Sequence, residues 1–321
     1  MTDIILHHYT LSPFSEKVRV TLGLQGLAWR SVDIAPLPPR PLLEALTGGY
    51  RRVPVMQIGA DIYCDTNIIL PTLERLHPSP SLYPAGSEGV ARGLAFAWER
   101  TMWIPTIGIL SHFIGDQLPP EFIKDRKEGY LGFDMSKAAM APELHLHRQR
   151  VAAQYAWLQS ALADGRKFIF GDAPSALDLA CYQTIFLLRK NCPAEVDAMA
   201  GHAGPLLAWF DRLGAIGHGK PEPMSSEDAL AAAKKATPAA VTHLQPDGDP
   251  GGLRAGTEVT VTPDDNARVP VTGTLVAASD SEIVIRRTDP QAGELHVHFP
   301  RLGFDVVAAA AQTEQAWRKQ A

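Results

Sequence analysis

The hydrophobic period of this 321-residue chain changes twice along its length, and that change restricts the fold more than any single motif does. Over the first eighty residues, strand-like runs alternate with helix-like ones. Residues 4–9 open with a β-branched run, residues 16–24 carry Val18, Leu22 and Leu24 at helical spacing, and runs at 28–34, 53–58 and 61–64 read as strands before a helix at 67–76. The order is βαβ followed by ββα. From residue 87 to about 219 strand signals vanish and helical segments follow at 90–103, 143–163, 176–188 and 205–213. Between the first two lies 119–142, with Tyr130, Phe133 and Met135 but no sustained period, which predicts a long loop. A charged helix at 227–236, capped by Ser225 or Ser226, precedes a Pro/Gly-rich linker at 245–252. Beyond it come five short alternating runs, at 257–262, 271–277, 282–287, 294–299 and 305–307, spaced by Asp, Asn, Gly and Pro as in a small barrel or sandwich. A short helix ending near Trp317 closes the chain. Three domains are expected: α/β at 1–82, all-α at 87–222, and a small all-β, barrel-like domain at 246–321.

Composition narrows the function classes. Hydrophobic residues at 45% and charged residues at 20% supply a sizeable core and exclude a disordered tail. A net charge of −5 lacks the basic excess of a phosphate-backbone binder, so no nucleic-acid partner is expected. Cys64, Cys181 and Cys192 are too scattered for a disulfide framework or a Cys-x-x-Cys site. No uncharged apolar run approaches the roughly 18–20 residues of a membrane span, and no basic region precedes the first apolar run. A cytoplasmic protein without a membrane partner is expected.

The chemistry concentrates in three short motifs. Ser12-Pro13-Phe14-Ser15 joins the first strand to the first helix, where unpaired backbone N–H groups and the helix dipole favour an anion. Structurally, Ser12 is a cap and Pro13 a first-turn proline. Chemically, a hydroxyl there can stabilise a thiolate: a hydrogen bond to a charged group contributes about 1.5–3 kcal/mol, which lowers a bound thiol's pKa by roughly one to two units. Arg51-Arg52-Val53-Pro54-Val55 opens a strand with a proline; a cis bond would turn the Val53 backbone toward a peptide-like ligand, while an edge proline is the plain alternative. Asp65-Thr66 sets a carboxylate and a hydroxyl at the start of another helix, as a cap or as partners for an ammonium and a carboxylate.

Taken in order and spacing, Ser12-Pro13, Val53-Pro54 and Asp65-Thr66 resemble the cytosolic glutathione transferase superfamily over about 220 residues. The resemblance implies a thioredoxin-like N-terminal domain, a helical second domain, and glutathione as co-substrate. It implies Ser12 as the catalytic residue at the thiol, Val53 and Pro54 on the cysteinyl backbone, and Asp65 with Thr66 on the γ-glutamyl group. Arg40 and Arg52 fall near the glycyl carboxylate. Ser-Pro-Phe followed by Lys17-Val18-Arg19 is closer to the serine-type tau and zeta classes than to tyrosine or cysteine types, with Tyr9 and Ser15 as alternative thiol activators. Trp103 and Phe113 are expected on the side of a small hydrophobic electrophile. A homodimer and a detoxifying conjugation, isomerisation or peroxide reduction follow from the same resemblance. The rival reading is a non-catalytic glutathione-binding or scaffold protein acting through the C-terminal β-domain, which is no part of the ordinary family plan.

Other signals read as structural. Ser175 and Asp178 have capping-box spacing. His296 and His298 share a strand face but show no third ligand, so a surface pair and no metal is the expectation. His145 and His147 point apart on a helix.

Overall fold

The computed structural model describes residues 3–201, 204–245 and 248–309. Two compact units emerge: one from the described parts of Met1–Tyr9, Ala28–Ile69 and Pro221–Ala321, the other from Thr10–Leu27 and Leu70–Lys220. The helix expected to end near Trp317 lies outside the described residues.

The first unit is built on one sheet. Its strands are β1 (Ile4–His8), β2 (Ala28–Asp33), β3 (Val55–Ile58), β4 (Asp61–Cys64), β5 (Lys220–Pro223), β6 (Glu258–Pro263), β7 (Val271–Ala278), β8 (Glu282–Asp289), β9 (Gly293–Pro300) and β10 (Phe304–Ala308). They lie in the order β10-β6-β7-β8-β9-β4-β3-β1-β2-β5. The β1/β2 and β4/β9 pairs are parallel, whereas β1/β3, β3/β4 and β6 through β9 pair antiparallel. The thioredoxin-like strands and the C-terminal β region are thus both present, as the periodicity predicts. They are joined, however: β9 adds to the edge of β4, with Asp61 opposite His296 and Tyr63 opposite His298.

Alternation along the strands decides what this join buries. Ile62 and Cys64 of β4, Ile283 and Ile285 of β8, and Leu295, Val297 and Phe299 of β9 point to one face and share a core with Ile5, Val32 and Val55. The C-terminal strands also curl. β10 pairs with β6 at the far end of the order, yet the Phe304 ring is 5.5 Å from that of Phe299 in β9. A flat arrangement would put those strands roughly 19 Å apart at about 4.8 Å per strand, so the sheet is rolled, as barrel-like patterning requires. Tyr50 fills the roll, 6.0 and 6.2 Å from the same two rings.

Helices of the chain are α1 (Pro13–Leu24), α2 (Pro41–Thr47), α3 (Thr66–Leu76), α4 (Glu88–Ile114), α5 (Pro120–Asp125), α6 (Lys137–Met140), α7 (Leu144–Ala161), α8 (Ala176–Asn191), α9 (Pro193–Met199), α10 (Pro205–Gly214) and α11 (Ser226–Lys235). In the sheet unit, α11 packs on α2, β2 and β9; its inward residues Ala229 and Ala233 are small enough to let the helix lie close to the strands. Ser225 is its cap, accepting from the Asp228 N–H at 3.0 Å. α2 ends at Gly48 in the left-handed region, φ 78°, and a Cβ there would sit 2.5 Å from the Arg287 guanidinium carbon.

The second unit is helical, with α8 packed on α1 and α4, and α7 on α4. The box at the head of α8 forms as its spacing predicts. Asp178 accepts from Ser175 N–H (2.9 Å), Ile169 N–H (2.9 Å) and Trp209 Nε1–H (2.8 Å), and burial raises its carboxyl despite these bonds. Lys17, almost fully buried, pairs with Glu99 at 2.8 Å. The 119–142 stretch is not an open loop: α5, a π-helical turn at Arg126–Tyr130 and α6 occupy most of it. Each is too short to show a period in sequence. Arg126 is clamped between Phe122 and Tyr130, 4.2 and 4.7 Å from their ring centroids.

Candidate functional site

In the helical unit, Ser12 is the N-cap of α1 and is buried; its Oγ accepts from the Ser15 N–H at 3.2 Å. The hydroxyl proton and a second lone pair remain chemically available to a cap of this kind. The loop around it is held by a charged network. Arg19 grips Glu16 through Nε (3.0 Å) and Nη2 (2.7 Å) and donates to the Thr10 carbonyl at 2.9 Å, while His218 lies 3.2 Å from Glu16. Burial pushes the Glu16 carboxyl up, but His218 and Arg19 together outweigh it and hold the group below its ordinary value. Ser15 is fully buried and its Oγ has no partner among the described residues. Phe14 packs against Trp103 of α4, ring centroids 5.3 Å apart, so one of the two expected aromatic residues lies beside the serine motif. Phe113 does not: ten residues further along α4 is about 15 Å of rise, and its side chain is exposed.

In the sheet unit, Val53 is half-buried, Pro54 is buried, and the bond between them is cis. Asp65 caps α3 with its backbone at φ 94°, a region that non-glycine residues occupy only when their surroundings impose it. Its Oδ1 accepts from the Asn67 N–H at 2.9 Å, and Thr66 is buried at the first helical position. Tyr9 follows β1 and is half-buried.

The two arginines make protein contacts of different kinds. Arg52 donates through Nε to the Asn266 carbonyl at 3.0 Å, pairs with Asp265, sits 3.8 Å from Asp65 and lies over the Phe304 ring. Its guanidinium ties the Val53 loop to the rolled C-terminal strands. Arg40 donates to the carbonyls of Ala35 (2.8 Å), Pro36 (2.7 Å) and Arg51 (3.1 Å). It also lines a cavity of about 280 Å³ with Pro38, Glu44, Arg51 and Val269. Sequence reasoning missed Asp265 and Asn266 because nothing in their local pattern shows that they return to residue 52.

The chain's own thiols are poor reagents. Cys64, Cys181 and Cys192 are all free and buried, and burial pushes the last up to about 12 and the other two well above the ordinary range.

Residues 6–81 match the family profile "Glutathione S-transferase, N-terminal domain" and residues 126–212 match "Glutathione S-transferase, C-terminal domain". A GST-like protein from Pseudomonas syringae, of known crystal structure, is 36% identical, with a TM-score of 0.77, covering 96% of this chain and 100% of that one. The chain belongs to the glutathione S-transferase superfamily. Coverage of 96% also means that the GST-like relative from P. syringae shares the C-terminal β region. Two further superfamily structures share the fold at lower identity. One is a glutathione S-transferase from Methylobacterium radiotolerans in complex with glutathione sulfonate (22% identity, 70% of this chain, 98% of that one, TM-score 0.50). The other is from Ceriporiopsis subvermispora in complex with glutathione (20%, 67%, 98%, 0.53). No curated protein matches the chain. No helix among the described residues is long and apolar enough to cross a membrane.

Proposed function

We propose that this protein binds glutathione and, with Ser12 as hydrogen-bond donor to the thiolate, adds it to a small apolar electrophile as a serine-type transferase. The observation that carries the reading is Asp65. A carboxylate residue held at φ 94° beside a buried threonine, in a chain of this superfamily, is a local arrangement that a plain helix cap does not need. In this reading Asp65 meets the γ-glutamyl ammonium, the Thr66 hydroxyl its carboxylate, and Val53 with Pro54 the cysteinyl backbone. Arg40 lines the cavity wall with Arg51, which suits the glycyl carboxylate; Arg52 acts on the loop that carries Val53. Relatives crystallised with glutathione or its sulfonate support the ligand. The absence of a reactive thiol in the chain supports a bound one as the nucleophile. In this reading Trp103, whose ring packs on Phe14, faces the electrophile, and a cytoplasmic homodimer completes the proposal.

A second reading has an observation of its own. Ser12 is buried and already caps α1, which favours a protein that holds glutathione without activating it. Turnover separates the two. With an aromatic chloride or an isothiocyanate as electrophile, Ser12→Ala should lose about ten-fold or more in kcat with little change in glutathione affinity. Unchanged kcat removes Ser12 from the mechanism, and no turnover by a wild-type protein that binds glutathione establishes the second reading.

A further inference from the structure

The seam between β4 and β9 carries a cluster that strand pairing assembles from residues 237 positions apart. His296 and His298 are not a surface pair: His298 is 2% exposed, and the parallel register brings Asp61 of β4 alongside them on the same face. The segment after α11 covers that face, with Ala239 N–H donating to Asp61 Oδ2 at 2.9 Å and His243 Nε2 lying 2.8 Å from Glu282.

Three ligand atoms converge there. Asp61 Oδ1 is 3.1 Å from His298 Nε2 and 3.7 Å from His296 Nδ1, and all three lie within 4.8 Å of one another. A tetrahedral zinc ion with bonds near 2.0–2.1 Å separates its ligands by about 3.3 Å, between the two measured edges. The third edge, between the two imidazoles, is no longer than 4.8 Å. At 3.7 Å the His296 contact is too long for a hydrogen bond, and its Nδ1 has no hydrogen-bond partner among the described residues. A buried nitrogen without a hydrogen bond is disfavoured if nothing binds it.

The surroundings of His298 point the same way. Its Nδ1 lies 2.7 Å from Glu282, whose carboxylate takes the proton on that nitrogen in hydrogen bond and so turns Nε2 toward Asp61. Nε2 lies 3.1 Å from Asp61 Oδ1, so a proton or a metal ion must stand between the two atoms. A proton bridges these two alone; a metal ion bridges them and satisfies His296 as well. We propose that Asp61, His296 and His298 bind a divalent ion of the zinc class, with Glu282 orienting His298 and a fourth position left for water or an added ligand. The ion joins the N-terminal strands to the C-terminal ones. The sequence shows no metal because its local spacing offers only two ligands; the third arrives through the sheet.

The test uses untagged full-length protein, stripped with chelator and titrated calorimetrically with Zn²⁺, then separately with Co²⁺ while the visible spectrum is followed. One equivalent should bind, and Co²⁺ should develop the intense bands of a four-coordinate site. His296→Ala removes one of the three ligands and should weaken Zn²⁺ binding at least ten-fold. Asp61→Asn, which keeps the side chain's shape, should do the same, whereas His145→Ala should change nothing. Absence of stoichiometric binding to the wild type, or affinity retained in both His296→Ala and Asp61→Asn, overturns the proposal.

Discussion

Burial decides the chemistry of several single residues here. His7 is the clearest: its ring is enclosed in β1, burial pushes its pKa down to about 4, and a 2.9 Å bond to Gln57 only partly opposes this. The unfolded imidazole protonates near 6.5, so between about 6.5 and 4 the unfolded chain binds a proton that the folded chain refuses. Stability contributed by the neutral ring is therefore complete above pH 6.5 and falls as the solution is acidified toward 4, by about 3 kcal/mol in all. Urea unfolding at a series of pH values should show this acid loss in the wild type and a shallower one in His7→Gln; parallel curves would contradict it. The same scale explains what sequence could show of the site. The placement of Ser12, Val53, Pro54, Asp65 and Thr66 at element boundaries is legible because each is marked by proline, serine or an acid-hydroxyl pair. The employment of Arg52 is not legible, since Asp265 and Asn266 are distant in sequence and unremarkable in pattern.

Among elements, strands with clean alternation were the easiest to read. Residues 257–262 and 294–299 alternate apolar with polar, and β6 and β9 follow them closely. β5 escaped because Lys220-Pro221-Glu222-Pro223 carries two prolines and no apolar face; it survives as an exposed edge strand, where a missing N–H costs nothing. α4 runs eleven residues beyond the expected end at Trp103, since Pro105 suggests a stop in sequence but is accommodated within the helix. The rolled strands make a direct prediction. Phe304 is packed by Phe299, Tyr50 and the Arg52 guanidinium, so Phe304→Ala leaves a cavity beside all three and should cost about 3–5 kcal/mol in chemical denaturation. A loss below 1 kcal/mol would mean that the roll is not closed on this ring.

For the whole molecule, the decisive long-range fact is the β4/β9 pairing, which makes the C-terminal strands part of the N-terminal sheet. No periodicity reports on partners so far apart, so the region reads in sequence as an accessory domain. Deleting residues 246–321 exposes the β4 edge and removes Val259, Ile283, Ile285, Val297 and Phe299 from the shared core. The truncated chain should lack a cooperative melting transition; one near the wild-type temperature would show that the sheet stands without its added half.

Glutathione titrated calorimetrically into the full-length protein, wild type beside Thr66→Val, bears most directly on the function. One saturable equivalent per chain is expected, with affinity about ten-fold weaker once the threonine hydroxyl is replaced by a methyl of the same shape. A wild-type protein that gives no saturable glutathione binding contradicts the account.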